Sequence, residues 1–241
     1  MNPLMQIERL ELGYGRDPQT RCVVGPVDLE IFRGEFLGVI GESGAGKSTL
    51  GLYLLGLLSE KNGRRIGGNV TSTLKPEEIA YIPQDPQASL DPLCSIGAFL
   101  REICPDRERI LHTLKQVHLP VGQLSRASYP HELSGGMQQR ILIAAALLRT
   151  PKMIIADEPT ASLDVLLQKE IMTLFSEIHG LGITFLVISH NIALAGAFCE
   201  RIAIMKDGNI VEIGSPLKIF KSPERPYTRD LIQSIPEVSH D

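Results

Sequence analysis

Eight consecutive residues, Gly41-Glu42-Ser43-Gly44-Ala45-Gly46-Lys47-Ser48, constrain this chain more than any other stretch. They satisfy the pattern G-x-x-x-x-G-K-[ST] at each fixed position. Glycines let the backbone adopt φ > 0 and approach a ligand closely. The N–H groups of such a loop converge on an anion at the positive end of the helix that follows. A lysine in this register reaches β- and γ-phosphates, and the next hydroxyl serves Mg²⁺. The flanks agree with the loop. Phe36-Leu37-Gly38-Val39-Ile40 is a short apolar run that predicts a buried strand, and Ser48 to Leu58 predicts a helix with Leu50, Leu54, Leu55 and Leu58 on one face. With those flanks a chance glycine turn is the poorer reading.

The 241 residues are 43% hydrophobic and 22% charged, enough for a packed core in one large domain with a small insertion. A net charge of -4 gives no reason to expect a nucleic-acid surface. No apolar run approaches membrane-spanning length, and Met1 to Gln6 lacks a basic-then-apolar leader, so the expected location is the cytoplasm. Cys22, Cys94, Cys104 and Cys199 are scattered and are expected to be free buried thiols. The histidine spacing suggests no transition-metal site.

Around the loop, Met5 to Leu12 alternates apolar and polar residues and predicts a first strand. Gly13-Tyr14-Gly15 reads as a turn. From there Tyr14 could stack on a purine, with a plain surface tyrosine equally open. Val23 to Phe32 is a second strand region, Ser59 to Gly68 a loop, and Ile79 to Pro83 a short strand with Gln84 at its end. Between Asp85 and Glu132, Asp-Pro turns and two helical periodicities (Ile96–Ile103 and Arg107–Val117) predict a small helical insertion, with His118 to Pro130 irregular. Leu133-Ser134-Gly135-Gly136-Met137-Gln138-Gln139-Arg140 then opens an apolar helix running to Leu148. Its hydroxyl cap and accessible N–H groups make a second anion site.

Met153-Ile154-Ile155-Ala156-Asp157-Glu158 is an apolar strand ending in two carboxylates, the place where open α/β sheets put chemistry. Asp157 is suited to Mg²⁺ and Glu158 to polarising a water toward a γ-phosphate. A turn through Asp164 leads into the helix Val165 to His179. Ile183 to Ile188 is another core strand, with Ser189-His190 at its end, where His190 can touch the γ-phosphate. Ile192 to Phe198 is a helix, Lys206-Asp207-Gly208 a hairpin turn, and Pro216 to Phe220 a short helix before a proline-punctuated tail.

In this order the motifs resemble those of ABC-type ATPases from about Met5 to Pro236, with LSGGMQQR at 133–140 the most specific. The resemblance implies an α/β fold: a P-loop NTPase core (1–84 and 133–220) with an antiparallel β subdomain, a helical insertion at 85–132 and a tail at 221–241. It implies that Gly41 to Ser48 and Thr49 bind ATP, with Tyr14 on the adenine. Ser48, Gln84 and Asp157 would serve Mg²⁺, and Glu158, His190 and Gln84 catalysis. Ser134, Gly135, Gly136 and Gln138 would contact ATP in trans, across a head-to-tail dimer crossed by the Asp164 loop. One chain carries one copy of each motif, so a second ATPase, similar and expected to be non-identical, is implied.

Gln84-Asp85-Pro86-Gln87-Ala88-Ser89-Leu90-Asp91-Pro92 and Ser222-Pro223-Glu224-Arg225-Pro226-Tyr227-Thr228-Arg229-Asp230-Leu231 are similar to stretches of dipeptide, oligopeptide and nickel importers. That narrower resemblance implies two integral membrane permease subunits, a solute-binding protein and a site at the cytoplasmic face of the inner membrane. The short Leu58–Ile79 segment and the lack of a long cysteine-bearing extension leave nickel or metal-chelate uptake open beside peptides. A non-transport ABC ATPase acting as a soluble assembly factor is the alternative. A P-loop kinase is disfavoured by LSGGMQQR and by the lack of an arginine-rich lid.

Overall fold

The computed structural model describes residues 3–15, 21–58, 64–119 and 128–235. Its strands are β1 (Met5–Tyr14), β2 (Arg21–Ile31), β3 (Phe36–Ile40), β4 (Arg64–Ser72), β5 (Ile79–Ile82), β6 (Met153–Asp157), β7 (Thr184–Ser189), β8 (Arg201–Lys206) and β9 (Asn209–Gly214). Its helices are α1 (Lys47–Leu54), α2 (Pro86–Ser89), α3 (Ile96–Ile103), α4 (Arg107–Gln116), α5 (Gly135–Leu148), α6 (Val165–His179), α7 (Ile192–Phe198), α8 (Pro216–Lys221) and α9 (Pro226–Gln233).

The strands form two sheets. One has the order β2-β1-β4 and is antiparallel; the other has the order β5-β6-β7-β3-β8-β9. In the second sheet the neighbours from β5 to β8 run parallel, and β9 returns antiparallel beside β8. β3, β6 and β7 are buried along their whole length and mostly apolar, because both faces of the sheet are covered. Phe36, Ile40, Ile154, Ala156, Phe185 and Val187 point to one side, into a core shared with α3 to α7. Leu37, Val39, Met153, Ile155, Leu186 and Ile188 point to the other, into a core shared with α1 and the antiparallel sheet. Each fully buried Leu or Ile contributes about 1.5–3 kcal/mol, so this alternation holds the parallel strands in register.

Helix starts follow from local chemistry. Asp85, Ser95, Asp106, Ser134, Asp164, Asn191 and Ser215 each accept a backbone N–H as N-caps. α2, α3 and α4 fall within the region expected to be helical, and α2 to α4 pack on α5. No described helix is long and apolar enough to cross a membrane.

Four local expectations are corrected. The stretch expected as a loop over Ser59–Gly68 contains the start of β4, which pairs with β1 from Met5↔Ser72 to Gly13↔Arg64; residues 59–63 lie outside the described set. β4 is mostly exposed and lacks alternating apolar residues, so main-chain pairing rather than side-chain burial makes it a strand. β1 continues through Tyr14 instead of turning at Gly13. Helix α1 ends at Leu54, and Gly56, with φ 69°, turns the chain so that Leu58 falls outside it. Cys104 and Cys199 are free and buried as expected, but Cys22 is exposed and Cys94 partly so. The irregular segment expected from His118 to Pro130 lies partly outside the described residues, at 120–127.

Candidate functional site

Parallel pairing brings the carboxyl ends of β3, β5, β6 and β7 to one edge of the sheet. The glycine loop follows β3, Gln84 follows β5, Asp157 and Glu158 end β6, and His190 follows β7. The register places Asp157 beside Ile188, and Gly41 N–H reaches Ser189 O at 3.3 Å. Residues separated by about 150 positions in the chain thus meet at the crevice where α/β sheets bind ligands.

Two glycines of the loop are required by space. A Cβ on Gly41 would lie 2.1 Å from Met205 O. Gly46 has φ 98°, and a Cβ there would fall 2.8 Å from the Val24 side chain. The cleft above the loop has a volume of about 370 Å³ and is lined by Val23, Ser43, Gly44, Gly46, Lys47, Ser48, Thr49, Gln84, Glu158 and His190. Lys47 is buried, and its Nζ donates to Gly41 O at 2.8 Å and Glu42 O at 3.0 Å and lies 3.7 Å from Glu158 Oε1. Glu158 Oε2 is 2.8 Å from His190 Nδ1. Glu158 itself has φ 45°, a left-handed conformation that costs a non-glycine residue roughly 1–2 kcal/mol. Its N–H donates to Ile188 O at 2.8 Å, which pins the strained turn to β7. The carboxylate is thereby aimed back over the loop between Lys47 and His190.

Ser48 Oγ donates to Asp157 Oδ1 at 2.9 Å, and the Tyr81 hydroxyl donates to Oδ2 at 3.4 Å. Burial pushes the Asp157 carboxyl above its ordinary value; the Ser48 hydrogen bond opposes this and the nearby Glu158 charge adds to it. A carboxyl whose pKa is raised on folding favours the fold below its unfolded pKa and loses that contribution as pH rises through the folded value. We therefore expect Asp157→Asn to raise Tm of the nucleotide-free protein at pH 8, with the gain shrinking as the pH falls toward the ordinary carboxylate range. The same substitution should weaken Mg²⁺-dependent nucleotide binding. A fall in Tm at pH 8 in a thermal melt series would show that the buried charge is not a burden on the fold.

A second recess of about 540 Å³ adjoins the cleft through Val23 and Gly44 and is lined also by Tyr14, Arg21, Cys22, Asp207 and Gly208. Tyr14 is fixed there by a 3.0 Å hydrogen bond between its hydroxyl and Thr49 Oγ1. Sequence reasoning missed Arg21, Cys22 and the Asp207-Gly208 turn, because nothing local ties a distant hairpin to the loop. Gly208 N–H reaches Ala45 O at 3.1 Å, so the turn braces the loop from outside. Tyr81, flush with Asp157, was also missed; it is one residue of an apolar strand.

The LSGG segment lines neither recess. Ser134 is exposed and caps α5, and Gly135 and Gly136 lie against Leu163 and Leu167 beside the exposed Asp164 turn. Next to them Val165 and Leu166 are 82% and 70% exposed, an apolar pair bordering the anion-suited helix start. Gln138 departs from the expected contact set. It is buried, and its Nε2 donates to Pro130 O at 2.7 Å and Leu133 O at 3.3 Å, so it shapes the segment from inside rather than facing outward.

The model of the family described as ABC transporter matches residues 24–161, more than half of the chain. This chain belongs to the ABC transporter family. It is 34% identical to the oligopeptide transport ATP-binding protein OppD of Salmonella typhimurium over 100% of this chain and 78% of that protein. It is 37% identical to a putative peptide import ATP-binding protein of Brucella ovis, covering 99% and 80%. It is 34% identical to the dipeptide transport ATP-binding protein DppD of Escherichia coli, also covering 99% and 80%. Among solved structures, cbiO1 of Clostridium perfringens, part of the cbiONQ ABC transporter complex, matches with TM-score 0.79 at 26% identity over 100% of this chain and 98% of that one. A dimeric post-hydrolysis ATP-binding cassette bound to ADP and Pi matches with TM-score 0.73 at 28% identity over 88% and 98%. The fold is thus that of an ABC ATPase cassette, as the loop, the LSGG segment and the acid pair led us to expect, and the chain is an ATPase of that family.

Proposed function

We propose that this ABC ATPase is the ATP-hydrolysing subunit of an importer that takes up short peptides through separate membrane subunits. The carrying observation is the convergence of Lys47, Ser48, Gln84, Asp157, Glu158 and His190 on one cleft. The peptide assignment is supported by relatives named for oligopeptide, dipeptide and putative peptide import across nearly the whole chain.

In the reaction, the loop amides and Lys47 hold the β- and γ-phosphates. Glu158 accepts the proton of a water placed in line with the γ-phosphorus, and His190 orients Glu158 and contacts the γ-phosphate. The donor set fits magnesium: one hydroxyl and one carboxylate already 2.9 Å apart, with Gln84 at the rim. Ser48, Asp157 and Gln84 would hold the ion, which when bound would neutralise charge between the β- and γ-phosphates.

Ser134, Gly135 and Gly136 lie outside that cleft, so they serve a second ATPase in a head-to-tail pair, with Asp164, Val165 and Leu166 at the seam. ATP closes the pair and loss of phosphate reopens it, through contacts that exist with the γ-phosphate alone. Two permease subunits at the cytoplasmic face of the membrane take up the motion, and a binding protein delivers the solute.

The test is affinity purification of the tagged chain from its native membranes in mild detergent, with every co-eluting protein identified. Two permeases, a second ATPase and a binding protein that takes short peptides are expected. A binding protein selective for nickel or a metal chelate would replace the solute, and a purely soluble partner set would replace transport by an assembly function.

A further inference from the structure

The C-terminal helix α9 touches the phosphate loop. The Glu42 N–H, at the second position of the loop, donates to the Tyr227 hydroxyl at 3.1 Å, across 185 residues of sequence. Lys206, at the end of β8, lies 4.6 Å from the centre of the Tyr227 ring. The helix that carries Tyr227 is itself clasped. Glu212 on β9 is buried, and one carboxylate collects the Glu224 N–H at 2.9 Å, the Arg225 N–H at 3.2 Å and the Thr228 hydroxyl at 2.6 Å. Thr228 is fully buried, Arg225 Nε adds a bond to Val211 O at 3.1 Å, and Leu231, Ile232 and Ile235 pack on the core. Three donors on one buried carboxylate fix both the start of the helix and the reach of the tyrosine.

We propose that Tyr227 is a positioning residue for ATP, holding the first turn of the phosphate loop in its binding shape from outside. Lys47 ties Gly41 O and Glu42 O from within the cleft, and Tyr227 ties the Glu42 N–H from without. The same peptide segment is therefore gripped on both faces. Without the outer bond, the loop keeps its residues but samples more conformations before ATP arrives, so binding weakens while the chemical step at Glu158 is unchanged. The inference rests on the ATP reading of the cleft.

The test compares the full-length wild type with Tyr227→Phe, Tyr227→Leu and Lys47→Ala by fluorescent-ATP titration, ATPase kinetics and thermal melts. Tyr227→Phe keeps the ring and its contact with Lys206. It should raise the ATP Kd and KM about three- to tenfold, the worth of one neutral hydrogen bond, with kcat unchanged and Tm lowered by no more than about 2–4 °C. Unaltered Kd and KM in Tyr227→Phe would overturn the proposal, as would a rise in Tyr227→Leu alone, which would assign the effect to packing. Wild type that fails to bind ATP, or binds it no better than Lys47→Ala, would instead overturn the nucleotide reading of the cleft.

Discussion

Replacing Glu158 by glutamine should leave ATP binding within about threefold of wild type while slowing hydrolysis by about 10²–10⁴-fold, the usual worth of a positioned general base. The reason is geometric. Glu158 is held in a left-handed backbone conformation, 3.7 Å from Lys47 and 2.8 Å from His190, and lines the same cleft as the loop. Glutamine is nearly isosteric and keeps a hydrogen-bonding oxygen toward His190, but it cannot accept the proton of an attacking water. ATP should then persist, and size-exclusion chromatography with MgATP should show the variant as a long-lived pair while the wild type returns to its nucleotide-free state. A wild-type rate of phosphate release from Glu158→Gln would remove Glu158 as the base and transfer attention to His190 or Gln84.

Replacing Lys47 by alanine should weaken ATP by about 100-fold or more, since charge-assisted contacts to two phosphates are lost at roughly 1.5–3 kcal/mol each. The structure adds a second source of loss. The lysine also bonds two carbonyls of its own loop, Gly41 O and Glu42 O, and lies 3.7 Å from Glu158 Oε1. Its removal loosens the loop before any nucleotide binds and leaves a buried carboxylate with His190 as its remaining side-chain partner. Lys47→Arg is a useful companion. It restores the charge but cannot fit two carbonyls at 2.8 and 3.0 Å with the same compact head, so it should recover little of the affinity. Isothermal or fluorescence titration decides the matter, and an alanine variant within threefold of wild type would exclude the assigned role.

Much of the local design is written in short stretches of this chain. The glycine loop, the acid pair at the end of an apolar strand and the LSGG helix start each declare their chemistry through spacing that does not depend on the rest of the fold. Strands β3, β6 and β7 were legible because burial on both faces demands unbroken apolar runs. β4 was not legible, because an exposed strand paired through its main chain to β1 leaves no side-chain period to read. Helix α9 was hidden for a related reason: its start is clasped by Glu212, a residue of β9, rather than by a local cap. Gln138 shows the opposite failure. Its place in a recognisable motif suggested an outward contact, and packing turned it inward.

The sequence by itself determined the groups on which the proposed binding and splitting of a triphosphate rests, because those groups are specified by residue type and by offsets of a few positions. Tertiary structure alone decided which of them meet. Parallel register brought Asp157, Glu158 and His190 to the loop, the β8–β9 turn and Tyr227 came to brace it from outside, and Ser134 and Asp164 were left exposed and outside the cleft lining. Such juxtapositions join residues up to 185 positions apart, and the apolar packing of two sheet faces, which carries no local signal of its partner, is what holds them together.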